Sequence, residues 1–102
     1  VIALTAFISL FQSDRDHVRG LVKEHEFIEI YCKANLGVCE QRDVKGLYAK
    51  ARRGEIKDFT GISSPYEPPV NPELELDTGV EPLAACVDKV LACLKMRGVI
   101  TA

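Results

Sequence analysis

Apolar and polar positions alternate along this chain in blocks whose periods change from strand to helix and back. Val1 to Ile8 is apolar apart from Thr5; eight residues is strand length, and a run without alternation predicts a strand covered on both faces, as in a parallel sheet. A loop over residues 9 to 12 follows. Ser13, with Asp16 three residues on, has the look of a capping box, and Val18, Leu21 and Val22 give an apolar stripe for a short helix laid over that strand. Phe27 to Cys32 is β-branched and aromatic and predicts a second strand. Asn35 is placed to cap a helix carrying Leu36, Val38 and Cys39 and ending near Arg42 and Asp43. After Gly46, residues 47 to 53 read as a mostly polar helix stopped by Gly54, a flap with little to bury. Residues 58 to 71 turn to Gly, Ser and Pro, an extended and pinned connection. Leu74 to Thr78 alternates and predicts a third strand. Pro82 opens a last helix with a stripe of Leu83, Cys86, Val87, Val90, Leu91 and Leu94, ended by Gly98.

Strand, helix, strand, helix, flap, strand, helix is the order of an α/β fold with a parallel sheet and right-handed crossovers. Ligands in such folds bind at the carboxyl ends of the strands, and Ser9, Arg42 and Thr78 fall near or beyond those ends. Three strands make a sparse sheet. The sequence also has no initiator Met and opens inside an apolar run, so the expectation is a C-terminal portion of one larger domain.

Charge changes this picture most between residues 42 and 57. Six bases (Arg42, Lys45, Lys50, Arg52, Arg53, Lys57) stand there against Asp43 and Glu55, a local +4 in a chain of net −2. A basic island in an acidic chain predicts one anionic ligand rather than general affinity for nucleic acid or membrane. The four cysteines (32, 39, 86, 93) show no C-x-x-C or zinc spacing, so they read as small hydrophobes and no metal site is expected from them. No charged leader or membrane-length apolar run precedes them, and a reducing cytoplasm fits. His17 and His25 have no catalytic partner and read as surface residues.

The order of residues in the island is itself informative. C-E-Q-R-D-V-K-G-L-Y, then K-A-R-R-G-E-I-K-D-F-T-G-I and S-P-Y-E-P-P, with A-F-I-S and D-R-D-x-x-R upstream and P-E-L-x-L-D-T-G downstream, resemble the adenylylsulfate (APS) kinase family, including the kinase part of bifunctional PAPS synthetases. The resemblance covers essentially the whole chain. It implies a P-loop nucleotide-kinase-like, three-layer fold and transfer of the ATP γ-phosphoryl group to the 3′-hydroxyl of APS. The family's P-loop strand and helix, which hold the phosphates and Mg²⁺, have no counterpart in these 102 residues. The chain is therefore expected to be residues 1–102 of a partial kinase domain, with a lid at about 44–62, and to be inactive alone.

Site residues follow from the resemblance position by position. Ser9 matches the family's F-I-S-P serine and is the catalytic candidate, with Ile8 beside it in the APS site; a plain loop serine is the alternative. Leu10 and Phe11 depart from the family's usual Pro and Tyr. Lys45 matches the lysine of D-x-K-G-L-Y that contacts APS, or is a solvated surface lysine. Phe59 matches a stacking platform for the APS adenine, or packs in the core, and Asp58, placed with it in the APS site, stands where the family commonly has glycine. Arg42 matches an arginine near the ATP adenine, or pairs with Asp43 or Glu40; Thr78 is placed with it on the ATP side. Lys50, Arg52, Arg53, Lys57, Thr60 and Gly61 make up the lid, although Ala49 replaces a lysine common there. ATP with Mg²⁺ is the implied cofactor and APS the substrate, with no nucleic-acid or membrane partner. Homodimerisation and fusion to ATP sulfurylase are both compatible with the family. Two other readings stand beside this one: a catalytically inactive, kinase-like regulatory domain that binds PAPS or nucleotide, and a nucleic-acid module using the basic flap.

Overall fold

A computed structural model describes residues 1–62 and 65–101. Its elements are helix α1 (Gln12–Arg19), a single 3-10 turn at Glu24–Glu26, strand β1 (Ile30–Lys33), helices α2 (Leu36–Gln41) and α3 (Leu47–Arg52), strand β2 (Leu74–Asp77) and helix α4 (Leu83–Met96). The two strands pair in parallel, with Ile30 opposite Leu74 and Lys33 opposite Asp77. Helices α2 and α3 lie within the crossover between them. Helix α4 packs back on β2, and Leu76 of the strand and Cys86 of the helix are each about 95% buried. The fold is α/β with a parallel sheet, as the alternation of elements predicts.

Helix ends are where local sequence and structure agree best. The Asn35 side chain accepts from the Val38 N–H at 2.8 Å and caps α2. Gly54 and Gly98 take left-handed φ of +78° and +73° just past α3 and α4. In each case the next two N–H groups reach back to carbonyls in the last turn, Gly54 to Ala51 and Glu55 to Lys50, Gly98 to Lys95 and Val99 to Leu94. These are Schellman closures, and a side chain at either glycine would be strained.

Five expectations are corrected. Val1 to Ile8 is not a strand: it has no regular structure and is exposed, because β1 and β2 pair with each other and no described strand lies beside this run to share its hydrogen bonds. Ser9 consequently does not follow a strand end. Ser13 does not open α1, which begins one residue earlier with Phe11 at the cap position and no side-chain cap. The Gln12 N–H is taken instead by the Glu67 carboxylate at 2.8 Å, so a residue from the far end of the crossover does the capping. The stripe of Val18, Leu21 and Val22 remains 46–69% exposed; α1 is attached through arginines, not through apolar packing. In α4, likewise, Leu83, Val87 and Leu91 are exposed while Cys86 is buried. The remaining differences are at boundaries: β1 starts at Ile30 instead of Phe27, β2 stops before Thr78, and Pro82 is the cap residue of α4. Ser63 and Ser64, part of the connection expected to be extended, lie outside the described residues.

Candidate functional site

The carboxyl end of β1 feeds directly into α2, and α2 delivers the basic stretch. Arg42 is its C-cap residue. Asp43 then turns back on the following helix, its two carboxylate oxygens accepting from the Tyr48 and Ala49 N–H groups at 3.0 Å each. Gly46, which occupies the cap position of α3 at φ +68°, has no side chain to do this. The two helices are therefore joined by a short turn fixed at both ends, with Lys45 exposed at its tip.

A hollow of about 410 Å³ opens beside this turn, lined by Cys39, Arg42, Asp43, Val44, Lys45, Leu47, Tyr48 and Phe59. Phe59 comes from beyond α3 and meets the Tyr48 ring edge to face, centroids 4.9 Å apart at 81°, a favoured aromatic geometry. Burial pushes the Tyr48 hydroxyl pKa up, helped by its contact with Cys39 and by the Asp43 and Glu40 carboxylates. Among the described residues neither Arg42 nor Lys45 forms an ion pair. The two carboxylates nearest Arg42 in sequence are engaged elsewhere, Glu40 with Arg52 at 2.7 Å and Asp43 in capping α3. The hollow thus combines two cations with an aromatic wall, a surface suited to a planar base carrying anionic groups.

The rest of the expected lid is more occupied. Arg52 and Glu40 pair as above, and Arg53 makes two 3.2 Å bonds to Glu55. The hydrogen bond from each arginine holds its carboxylate below the usual range. These pairs are exposed and local. Lys50 and Lys57 are exposed without ion-pair partners among the described residues. Ala51 is buried, so α3 is seated on the molecule more firmly than its polar sequence suggests. Thr60 and Gly61 form the turn after Phe59, with Gly61 at φ +85° against the Leu36 side chain.

Ser9, Ile8 and Thr78 do not line the hollow. Ser9 is exposed with φ +46°, and Asp58 has φ +53°; they are the two non-glycine residues of positive φ among the described residues. Such backbone is strained for most side chains and concentrates at functional positions. Asp58 thus occupies a conformation that glycine adopts freely. Thr78 ties the strand ends together, its N–H and hydroxyl both donating to the Lys33 carbonyl at 2.8 and 2.9 Å. Sequence reasoning missed Asp43 and Tyr48. Asp43 caps at offsets of five and six residues, outside the usual capping box, whereas the aromatic pairing of Tyr48 depends on a residue eleven positions away.

The adenylylsulphate kinase family profile matches residues 1–77. The adenylyl-sulfate kinase of Prochlorococcus marinus is 65% identical over 94 residues, covering 92% of this chain and 47% of the relative. That of Acaryochloris marina is 60% identical over 100 residues, covering 98% and 49%. Among solved structures, the Mycobacterium tuberculosis APS kinase in complex with AMPPNP and APS superposes with a TM-score of 0.79 at 40% identity, over 87% of this chain and 52% of that one. The chain spans about half the length of the curated relatives it matches. A profile match over most of the chain, identity of this level and a shared fold together place the chain in the adenylylsulphate kinase family.

Proposed function

We propose that the protein carrying this chain transfers the γ-phosphoryl group of ATP to the 3′-hydroxyl of APS, giving PAPS and ADP, and that these residues supply the acceptor clamp and a lid over residues 44–62. The observation that carries the proposal is the convergence of Arg42, Lys45 and Phe59 on one hollow in a member of this family. Phosphoryl transfer asks for alignment and for positive charge near the phosphate oxygens more than for covalent chemistry. In this reading the Lys45 ammonium takes the phosphosulfate and Phe59, braced by Tyr48, stacks on the adenine of APS. Arg42 lies against the ATP base, and the Ser9 hydroxyl bonds a phosphate oxygen. A new bond forms from the 3′-oxygen to the γ-phosphorus as the bond from that phosphorus to the β,γ-bridging oxygen breaks, ADP leaving with the electron pair and the hydroxyl proton passing to solvent. The exposed lid cations, Lys50 and Lys57 together with the arginine pairs, close over the nucleotides and exclude water.

ATP brings Mg²⁺ to such reactions, where it neutralises charge on the phosphates. Among the described residues no three His, Cys, Asp or Glu side chains converge to hold a cation. No step is assigned through the ion. No helix of the described residues is long and apolar enough to cross a membrane. A cytoplasmic setting agrees with four cysteines that form no disulfide.

The test is Lys45→Ala in the full-length protein, read by PAPS formation. Loss of a charge-assisted contact of about 1.5–3 kcal/mol raises KM for APS roughly 10- to 100-fold, with KM for ATP nearly unchanged. An unaltered KM for APS would remove Lys45 from the acceptor site.

A further inference from the structure

We infer that Arg15 is a positioning residue that holds the Ser9 turn in its working conformation, an inference that rests on the role proposed for Ser9. Ser9 presents a problem of its own. It is exposed, has strained backbone at φ +46°, and follows a segment with no regular structure. A hydroxyl that must meet a phosphate oxygen to within a fraction of an ångström needs its backbone fixed by something.

Arg15 is the group in position to fix it. It lies one turn into α1 and is the one polar or charged side chain of the described residues that is about nine-tenths buried. One terminal nitrogen donates to the Ser9 carbonyl. The other donates to the Glu67 carbonyl and to Gln12 Oε1. Its Nε faces Glu29 Oε2 at 3.4 Å, close enough for charge attraction, but the geometry makes no hydrogen bond and leaves that nitrogen unsatisfied. The guanidinium carbon is 5.6 Å from the centre of the Tyr66 ring. Around this fork the two segments are joined again: the Glu67 N–H donates to the Leu10 carbonyl at 2.9 Å, and the Val70 N–H donates to Gln12 Oε1 at 3.2 Å. The Ser9 turn and the proline-rich segment are thus clamped together with a buried guanidinium at the centre.

The chemistry favours positioning over simple support. The carbonyl of an exposed serine can be satisfied by water, so binding it to a buried cation adds orientation more than it removes a penalty. The task also requires arginine. A planar fork takes carbonyls from two segments at fixed angles through separate nitrogens, whereas a lysine ammonium holds its three donors on one atom of a flexible stem and does not fix that spacing.

Arg15→Lys, Ser9→Ala and the double variant in the full-length protein test this, with kcat and KM for PAPS formation and thermal unfolding as readouts. Arg15→Lys is expected to lower kcat about 10- to 100-fold and to leave KM for ATP within about twofold. In a Ser9→Ala background it is expected to lower kcat by less than about twofold more, because both changes remove one function. Gln12→Leu, which removes one acceptor of the fork and leaves the buried cation in place, repeats the test with a smaller drop and stands in if Arg15→Lys does not fold. Normal kcat in the Arg15 and Gln12 variants alongside an impaired Ser9→Ala overturns the positioning role and leaves the Ser9 assignment standing. Fully multiplicative effects overturn it too, since Arg15 would then act elsewhere. A fully active Ser9→Ala, or a wild type that forms no PAPS, removes the reading of the site and this inference with it.

Discussion

Charges packed against α1 and charges strung along residues 42–57 use the same side chains in opposite settings. Arg15 and Glu29 are 9% and 11% exposed, and Glu73, held by both terminal nitrogens of Arg19 at 2.8 Å, is 14% exposed. Arg52, Arg53 and Glu55 are 53–57% exposed and pair with near neighbours in the chain or on the adjoining helix. The first set joins α1 to the entrances of β1 and β2, because Glu73 also accepts the Glu29 N–H at 2.6 Å. The second joins nothing that is far apart. A desolvated charge cannot lose its partner without a large penalty, so it fixes geometry; a solvated pair exchanges its partner for water or a ligand phosphate at little cost. One end of the molecule is built to hold still, and the other has charges it can release.

The strongest way to break that contrast is Arg19→Ala. The substitution strands the Glu73 carboxylate and removes the contact of the guanidinium with the Phe27 ring at 4.7 Å. Buried pairs broken from one side lose about 3–5 kcal/mol. Arg19 is 29% exposed, so water reaches the site and about 2–3 kcal/mol is the expected loss, read as a fall in Tm of the full-length protein or in its denaturant midpoint. A loss below about 0.5 kcal/mol, the range of surface pairs, would place this cluster with the flap.

The contrast also explains what could be read in the sequence. Asn35, Gly54 and Gly98 were legible because a cap is decided by the few residues around it. Arg42, Lys45 and Phe59 were grouped by motif order, which carries information that composition does not, and the fold brings them to one hollow. Val1 to Ile8 was not legible: apolarity marks a segment fit to be a strand, but a strand exists only beside another. Ser13 failed for a similar reason, its place at the head of α1 being taken by Glu67 across the crossover. The clamp of Arg15 was hidden, since two of its three acceptors are backbone carbonyls that any residue could have supplied. Contacts made by side chains to distant backbone leave no mark in composition or periodicity.

Acid titration offers a finer test through Glu73. Burial alone would push its pKa up, but the Arg19 hydrogen bonds and charge and the Glu29 N–H outweigh that and hold it below the usual carboxylate range. A carboxyl whose folded pKa is depressed stabilises the fold above its unfolded value, about 4.3 for Glu. That stabilisation disappears as pH falls through the lower folded value. Glu73→Gln is therefore expected to be less stable than wild type by about 1–2 kcal/mol at neutral pH, with the gap narrowing once the pH drops below about 4.3. Glu40 and Glu55 are depressed as well, but they titrate alike in both proteins and cancel in the difference. A gap that stays constant down to pH 3 would mean that the carboxylate charge contributes nothing there.

The smallest expected effect is the most discriminating for the flap. Arg53 and Glu55 lie two residues apart on the surface, so Arg53→Ala removes a pair that the unfolded chain can also form in part. No measurable change in Tm is expected at physiological salt, where such pairs are screened. If Arg53 belongs to a lid that exchanges Glu55 for nucleotide phosphates, the same variant raises KM for ATP or APS by about two- to fivefold, and the increase shrinks as salt is added. A fall in Tm comparable with that of Arg19→Ala would show that the flap is held by its charges, as α1 is. Unchanged Tm with a salt-sensitive KM would show that the pair is a resting place for a cation whose working partner is the ligand.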